Sequence, residues 1–363
     1  MYLNRKGKVP NQAHVGIPEG LSEEEHGRDG FAGPVSHLYR THPPTGWIKR
    51  EGPLKPRAFA CLPSSSTTES VLMMQSKDVS LHFSRRAETL PYFVRNADGD
   101  EVYFVHQGTG RFETDYGTVS YEPGDYVTIP KGTTYRIHVD AGPAAFLIIE
   151  TAEPAMVPDR GPLGQHALFD RGVLVAPELG AVDRPEAEGQ EWEVRIKRQG
   201  TWTRVTYPFY PMDVVGWKGD LWVAKLNVRD FRPVTSPRYH LPPSVHVTFR
   251  AGGCLISTFA PRPLETDPEA LRIPFYHRNT DYDEVLFYHQ GEFFSRAGIR
   301  PGMLTLHPQG IHHGPQPNAV QSSKAKTHTS EVAIMVESRH PFTVSPEMGP
   351  MEITDYALSW SRR

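Results

Sequence analysis

Two thirteen-residue segments of this chain, residues 96–108 (NADGDEVYFVHQG) and 279–291 (NTDYDEVLFYHQG), are identical at nine positions without a gap. They differ at Ala97/Thr280, Gly99/Tyr282, Tyr103/Leu286 and Val105/Tyr288. Each is followed by the same spaced motif, G-x5-P-x-G, at Gly124, Pro130, Gly132 and again at Gly302, Pro308, Gly310. The offset between copies is 183 residues at the first segment and 178 at the second, so the duplication extends beyond one short motif. A chain that carries one unit twice has to fold as two like units.

The unit is a β unit. VLMMQSKDVSLHFSRR, GRFETDYGTVSYEPGDYVTIPKG, TYRIHVD and AAFLIIE in the first half are short β-branched or aromatic runs cut by Gly, Asp and Pro. VTYPFY, DLWVAKLNV, VHVTFRA, CLISTFA, GMLTLHP and EVAIMVES repeat that pattern in the second half. Several alternate apolar and polar residues, as half-buried strands do. Glycine and proline together number 65 of 363 residues and are spread along the chain, which suits many turns between short strands. The expected fold class is all-β, with an extended Pro-rich arm over residues 1–60, a first barrel over 61–155, a connector over 156–205 and a second barrel over 206–363. No strand or helix period is legible in the arm, which is expected to wrap the body or a neighbouring subunit. MDVVGWKGD (212–220) reads as a short helix or turn, and TDYALSW as a terminal helix or tail.

Charge excludes one class of partner. With 39 basic and 42 acidic side chains the net charge is −3, against the Lys/Arg surplus that a nucleic-acid binder uses. No run approaches the ~18 apolar residues of a membrane span. Two cysteines and no leader-like N-terminus suggest a cytoplasmic protein.

Histidine placement carries the chemistry. The second copy reads His277-x-Asn279-x4-Glu284-x6-Gly291 and then Gly302-x5-Pro308-x-Gly310-x2-His313. This pair of patterns resembles the two metal-binding motifs of the cupin superfamily, with Asn279 in the place of the commonest second histidine. The resemblance implies a bicupin of two jelly-roll-type antiparallel β-barrels. Two imidazoles and one carboxylate form a facial triad of the kind used by non-haem Fe(II) sites that admit substrate and O2. The first copy is an internal control: Val94 stands for His277, Tyr135 for His313, and only Glu101 remains. One metal per chain is therefore expected, in the second barrel. Residues shared by both copies, Asn96/Asn279, Asp100/Asp283 and the His-Gln-Gly at 106–108 and 289–291, read as scaffold. His307 and His312, opposite Ile129 and Thr134, belong to the metal-bearing copy alone. Asp283 is the alternative carboxylate to Glu284.

Further stretches, HLYR (37–40), DVVGWKGDLWVAKLNVRDF (213–231), YHRN (276–279) and TLHPQGIHHGP (305–315), resemble the homogentisate 1,2-dioxygenase family. The resemblance implies an Fe(II) enzyme that opens the ring of a hydroquinone with O2, giving maleylacetoacetate from homogentisate. It implies His277, Glu284 and His313 as iron ligands, His240 as the acid–base group, and a homo-oligomer. Candidate substrate contacts are His307, Tyr276, Phe293, Arg238 and His312. Two departures leave the ring substituent open: the step from His277 to Glu284 is seven residues where the family uses six, and Phe293 stands where the family carries Tyr. The alternatives are a gentisate- or substituted-hydroquinone-type dioxygenase, and a non-catalytic or isomerase bicupin.

Overall fold

The computed structural model describes residues 7–62, 69–180, 189–272, 275–293, 296, 298–316 and 326–361. The all-β expectation holds. Every helix among the described residues is a 3-10 turn of three to six residues, and Tyr356–Trp360 is one of them. Residues 212–218 carry neither helix nor strand. No described helix is long and apolar enough to cross a membrane.

Each copy of the repeat builds the centre of one sheet. Asp100–Thr114 pairs antiparallel with Thr134–Thr151 and with Asp125–Ile129. Asp283–Gln290 pairs antiparallel with Val332–Ser338 and with Leu304–His307. The registers agree: Glu101 lies opposite Ile129 as Glu284 lies opposite His307. Val94 lies opposite Tyr135 as His277 lies opposite His313. The halves also exchange edges. Arg57–Phe59 joins the second sheet beside Leu304–His307, and Thr343–Val344 joins the first beside Val71–Gln75.

Alternation along the repeat sorts identical from differing positions. Val102, Phe104, Val285 and Phe287 enter one apolar cluster shared by both halves. Phe104 and Phe287 stand 6.2 Å apart, and each meets the other copy's histidine, Phe104 on His289 at 4.9 Å and Phe287 on His106 at 5.1 Å. The copies thus pack through the same face, as related subunits do about a two-fold axis. Differing residues point the other way. Tyr103 and Val105 cluster with Phe112, Tyr135 and Phe146 inside the first unit, where Tyr103 and Tyr135 border a cavity, and Leu286 and Tyr288 line a cavity in the second. The closing Gly108 and Gly291 have φ of +84° and +92°, and a Cβ there would stand 2.6 Å from Ala144 Cα and 2.1 Å from Ser330 O.

At the shared face His106 Nδ1 and His289 Nδ1 are 2.9 Å apart, so one ring donates and the other accepts. Burial pushes both rings down to about 4. The unfolded rings take protons from about pH 6.5 downward and the folded pair only near 4, so the pair's stabilisation is lost as pH falls through that window. The expected slope is up to about 1.4 kcal/mol per pH unit for each ring. Urea midpoints at pH 7, 5.5 and 4.5 check this: the acid-side loss should shrink in His289→Gln relative to the parent, and an unchanged loss would show that other groups cause it.

The arm is not the period-free extended segment expected. Ser22–Gly27 and Val35–Arg40 form an antiparallel hairpin, and Ser22–Gly27 pairs in parallel with Tyr276–Asn279. The strand escapes notice because Glu23, Glu24 and Glu25 are all buried, at 3%, 0% and 3% exposure. Each is compensated by a distant cation or imidazole, which no hydrophobic period reports.

Candidate active site

The site is assembled on two strand segments bridged by a loop residue. The backbone amides and carbonyls of His277 and His313 exchange hydrogen bonds of 2.9 and 3.0 Å, which bring the rings to 4.1 Å between centroids. Each ring is oriented by its own Nδ1–H, which donates to the Phe275 carbonyl (3.0 Å) and to the Ile311 carbonyl (3.2 Å) respectively. Both Nε2 atoms then face Glu284 Oε2, at 3.7 Å from His277 and 3.0 Å from His313. Backbone carbonyls on the far nitrogen are the usual support of a metal-ligating histidine. Three donor atoms of mixed N and O type converge without a thiolate, so the residues fit a divalent transition-metal ion.

The first copy shows what the same carboxylate does without the imidazoles. Tyr135 takes the place of His313, and its hydroxyl donates to Glu101 Oε2 at 2.9 Å. Burial raises the Glu101 carboxyl to about 7. Burial also works against ionised Glu284, yet His313 and His277 hold it well below the usual carboxylate range. Asp283 is not a rival: its oxygens accept from the backbone amides of Gln309 (2.8 Å) and Phe342 (2.9 Å). Asp100 does the same with Lys131 (2.8 Å) and Ala155 (2.9 Å), so this position is scaffold in both copies.

A cavity of about 100 Å³ opens over His277 and Glu284. His240 lies on its wall, and its Nδ1 is 2.8 Å from Glu265 Oε1. With Nδ1–H donated to Glu265, Nε2 carries the lone pair. Burial opposes the ionised form of Glu265, but the His240 contact keeps its carboxyl below the ordinary range. Phe259, Phe275, Leu286 and Met335 make the apolar walls, while Arg262, Arg296 and Glu331 bring charge. Arg262 Nη1 donates to Glu331 at 3.3 Å and to the Ala260 carbonyl at 3.2 Å.

The five expected substrate contacts are not among the residues that line this cavity. Arg238 is an exposed side chain paired with Asp267 at 3.2 Å. His312 turns from the triad and meets Glu24 at 2.8 Å. His307 is fully buried behind the site, stacked on His313 at 4.7 Å with Nε2 3.1 Å from the Tyr356 hydroxyl. Tyr276 alternates away, toward Gly314, and its neighbour Phe275 faces the cavity instead. Phe293 packs behind Tyr288 at 4.8 Å, one layer from the wall. Sequence reasoning missed Phe275, which period-2 spacing from His277 could have found. It also missed Glu265, Arg262, Arg296 and Glu331, for which no local signal exists.

Residues 70–227 match the family described as homogentisate 1,2-dioxygenase N-terminal, and residues 247–362 match its C-terminal counterpart. A protein of Saccharolobus solfataricus, named a candidate dioxygenase, is 33% identical over 99% of both chains. The homogentisate 1,2-dioxygenase of Rhodopseudomonas palustris strain BisA53 is 29% identical over 73% of this chain, which spans 62% of that relative's length. Among solved structures, a cupin 2 conserved barrel domain protein from Leptotrichia buccalis aligns with 76% of this chain and 91% of its own, at 11% identity and a TM-score of 0.34.

Proposed function

Since the chain belongs to the homogentisate 1,2-dioxygenase family, we propose that it is an Fe(II)-dependent ring-cleaving dioxygenase acting on homogentisate or a closely related hydroquinone. The observation that carries the reading is the convergence of His277, Glu284 and His313 at a cavity that also holds His240. The same fold position in the first copy also borders a cavity, lined by Val94, Glu101, Tyr103 and Tyr135, but has neither imidazole. A binding module needs no such asymmetry.

In this reading His277 Nε2, Glu284 Oε2 and His313 Nε2 hold the metal. Fe(II) bound there supplies the redox chemistry that lets O2 react with an aromatic ring. His240 Nε2 accepts the proton of a ring hydroxyl and later returns it, while Glu265 fixes the ring and stabilises the imidazolium. Phe259, Phe275 and Leu286 clamp the ring faces and keep water out. Arg262 and Arg296 place positive charge where an acidic substituent can end. Phe293 stands behind Tyr288, so the Tyr-to-Phe departure does not alter a wall atom and gives no reason to leave homogentisate. A homo-oligomer belongs to the same reading and is checked by light scattering.

The test is anaerobic Fe(II) reconstitution followed by O2 uptake with homogentisate, gentisate and plain hydroquinone in parallel. Uptake with homogentisate, with a new absorbance from a ring-opened enol-ketone, supports the reading. Uptake with another hydroquinone alone moves the substrate. No uptake, with a bound iron that His313→Ala removes, sinks the enzyme reading. Arg262→Gln is expected to raise KM for homogentisate about ten- to hundredfold, the loss of one charge-assisted hydrogen bond, and to leave plain hydroquinone within about twofold. Equal effects on both substrates would mean that Arg262 does not meet the carboxylate.

A further inference from the structure

The N-terminal hairpin carries a second convergence of two imidazoles on one carboxylate. His14 Nε2 lies 3.2 Å from Glu25 Oε2, and His37 Nε2 lies 3.6 Å from the same oxygen. The triad of the second barrel has 3.0 and 3.7 Å in the corresponding places. A tetrahedral zinc ion with bonds near 2.0–2.1 Å sets its ligands roughly 3.3 Å apart, between these values.

Three further observations separate this group from a chance cluster. Glu23 is committed to orienting His14: its carboxylate receives the His14 backbone amide at 3.1 and 3.2 Å and the ring Nδ1 at 2.5 Å. That leaves Nε2 as the donor aimed at Glu25, the carboxylate–histidine support that metal ligands use. His37 Nε2 is a buried nitrogen without a hydrogen-bond partner, in a side chain 21% exposed. An unsatisfied buried nitrogen is costly unless something fills its lone pair. His14 itself is held at φ +64°, a left-handed conformation unusual for a residue with a Cβ.

We propose that His14, Glu25 and His37 form a second divalent-metal site, of the zinc class, that ties the N-terminal loop to both strands of the arm's hairpin. The donor set is closed by a water or by the second oxygen of Glu25. The site lies outside both copies of the repeat, so comparing the copies could not reveal it. It adjoins the catalytic triad: Glu25 is the cross-strand partner of His277, and the His14 ring stacks at 4.5 Å on Phe275, whose carbonyl orients His277. An ion here therefore fixes the hairpin strand that pairs with the strand presenting His277.

The test loads chelator-treated full-length protein with Zn2+, removes excess, and counts metal per chain by mass spectrometry in four proteins. Two ions are expected in the parent, one in His313→Ala, one in His37→Ala and none in the double variant. Equal stoichiometry in the parent and His37→Ala overturns the proposal. Retention of two ions by His313→Ala, with loss of one in His37→Ala, keeps this site and removes the catalytic triad instead. Should His37→Ala not fold, His37→Gln in the His313→Ala background replaces it, read by Co2+ absorption. Tetrahedral Co2+ bands present before that change and lost after it support the site, and their absence before it overturns the site. A chelator should also lower the Tm of His313→Ala by several degrees and leave the double variant unmoved.

Discussion

Glu284→Gln is expected to remove metal from the second barrel and to lower O2 uptake by at least about a thousandfold, because one charged ligand of a three-ligand site is lost. The substitution keeps shape and hydrogen-bonding length, so the loss reports charge and ligation instead of packing. His277 and His313 both aim Nε2 at Glu284 Oε2, at 3.7 and 3.0 Å, and an amide cannot balance a divalent cation between them. The chain contains its own control. Glu101→Gln changes the equivalent position, where Tyr135 donates to the carboxyl and burial already raises it to about 7. Iron content measured beside O2 uptake should fall in Glu284→Gln and stay at the parent value in Glu101→Gln. Full iron with lost uptake in Glu284→Gln would show that Glu284 acts on substrate and not on metal. Unchanged iron and uptake would remove the triad from the chemistry.

His240→Asn should lower kcat by about 10²- to 10⁴-fold with the metal still bound, the range expected when a positioned acid–base group is lost. The residue lines the cavity with His277 and Glu284 but is not one of the convergent ligands. Glu265→Gln should follow in the same direction and more weakly, by about 10- to 100-fold, since it weakens the hold on Nδ1 but leaves the imidazole in place. Steady-state kinetics with iron quantified on each sample separates the cases. If iron is lost with His240→Asn, the residue is a ligand. If only KM rises, it binds substrate without moving its proton. If Glu265→Gln costs more than His240→Asn, the carboxylate has its own part in the reaction.

The repeat was readable because the two copies meet through the same face. Val102/Val285, Phe104/Phe287 and His106/His289 are identical where each copy packs on the other, and a change on one side would need an answering change on its partner. The ligands were readable for a related reason. They sit at fixed offsets within the repeat, and Val94 and Tyr135 show at which positions the copies differ. The expected substrate contacts were drawn from neighbours of those ligands along the chain. In a strand an adjacent residue faces the other way, so Tyr276 turns from the cavity toward Gly314, and His312, in the loop beside His313, turns to Glu24.

What the chain determines by itself, then, is local and periodic: an all-β unit used twice, a ligand triad in one copy, and a first copy that lacks two of the three. Strand alternation and motif spacing are properties of neighbouring residues and survive in one dimension. Tertiary structure alone decided the rest. It brought Glu265 to His240 from 25 positions away and Arg262 to Glu331 from 69. It buried three consecutive glutamates in a strand against His14, Arg40 and His312, and set Glu25 beside His277. Charged groups leave no period when they are buried, because what makes their burial possible is a partner elsewhere in the chain, and only the fold says which.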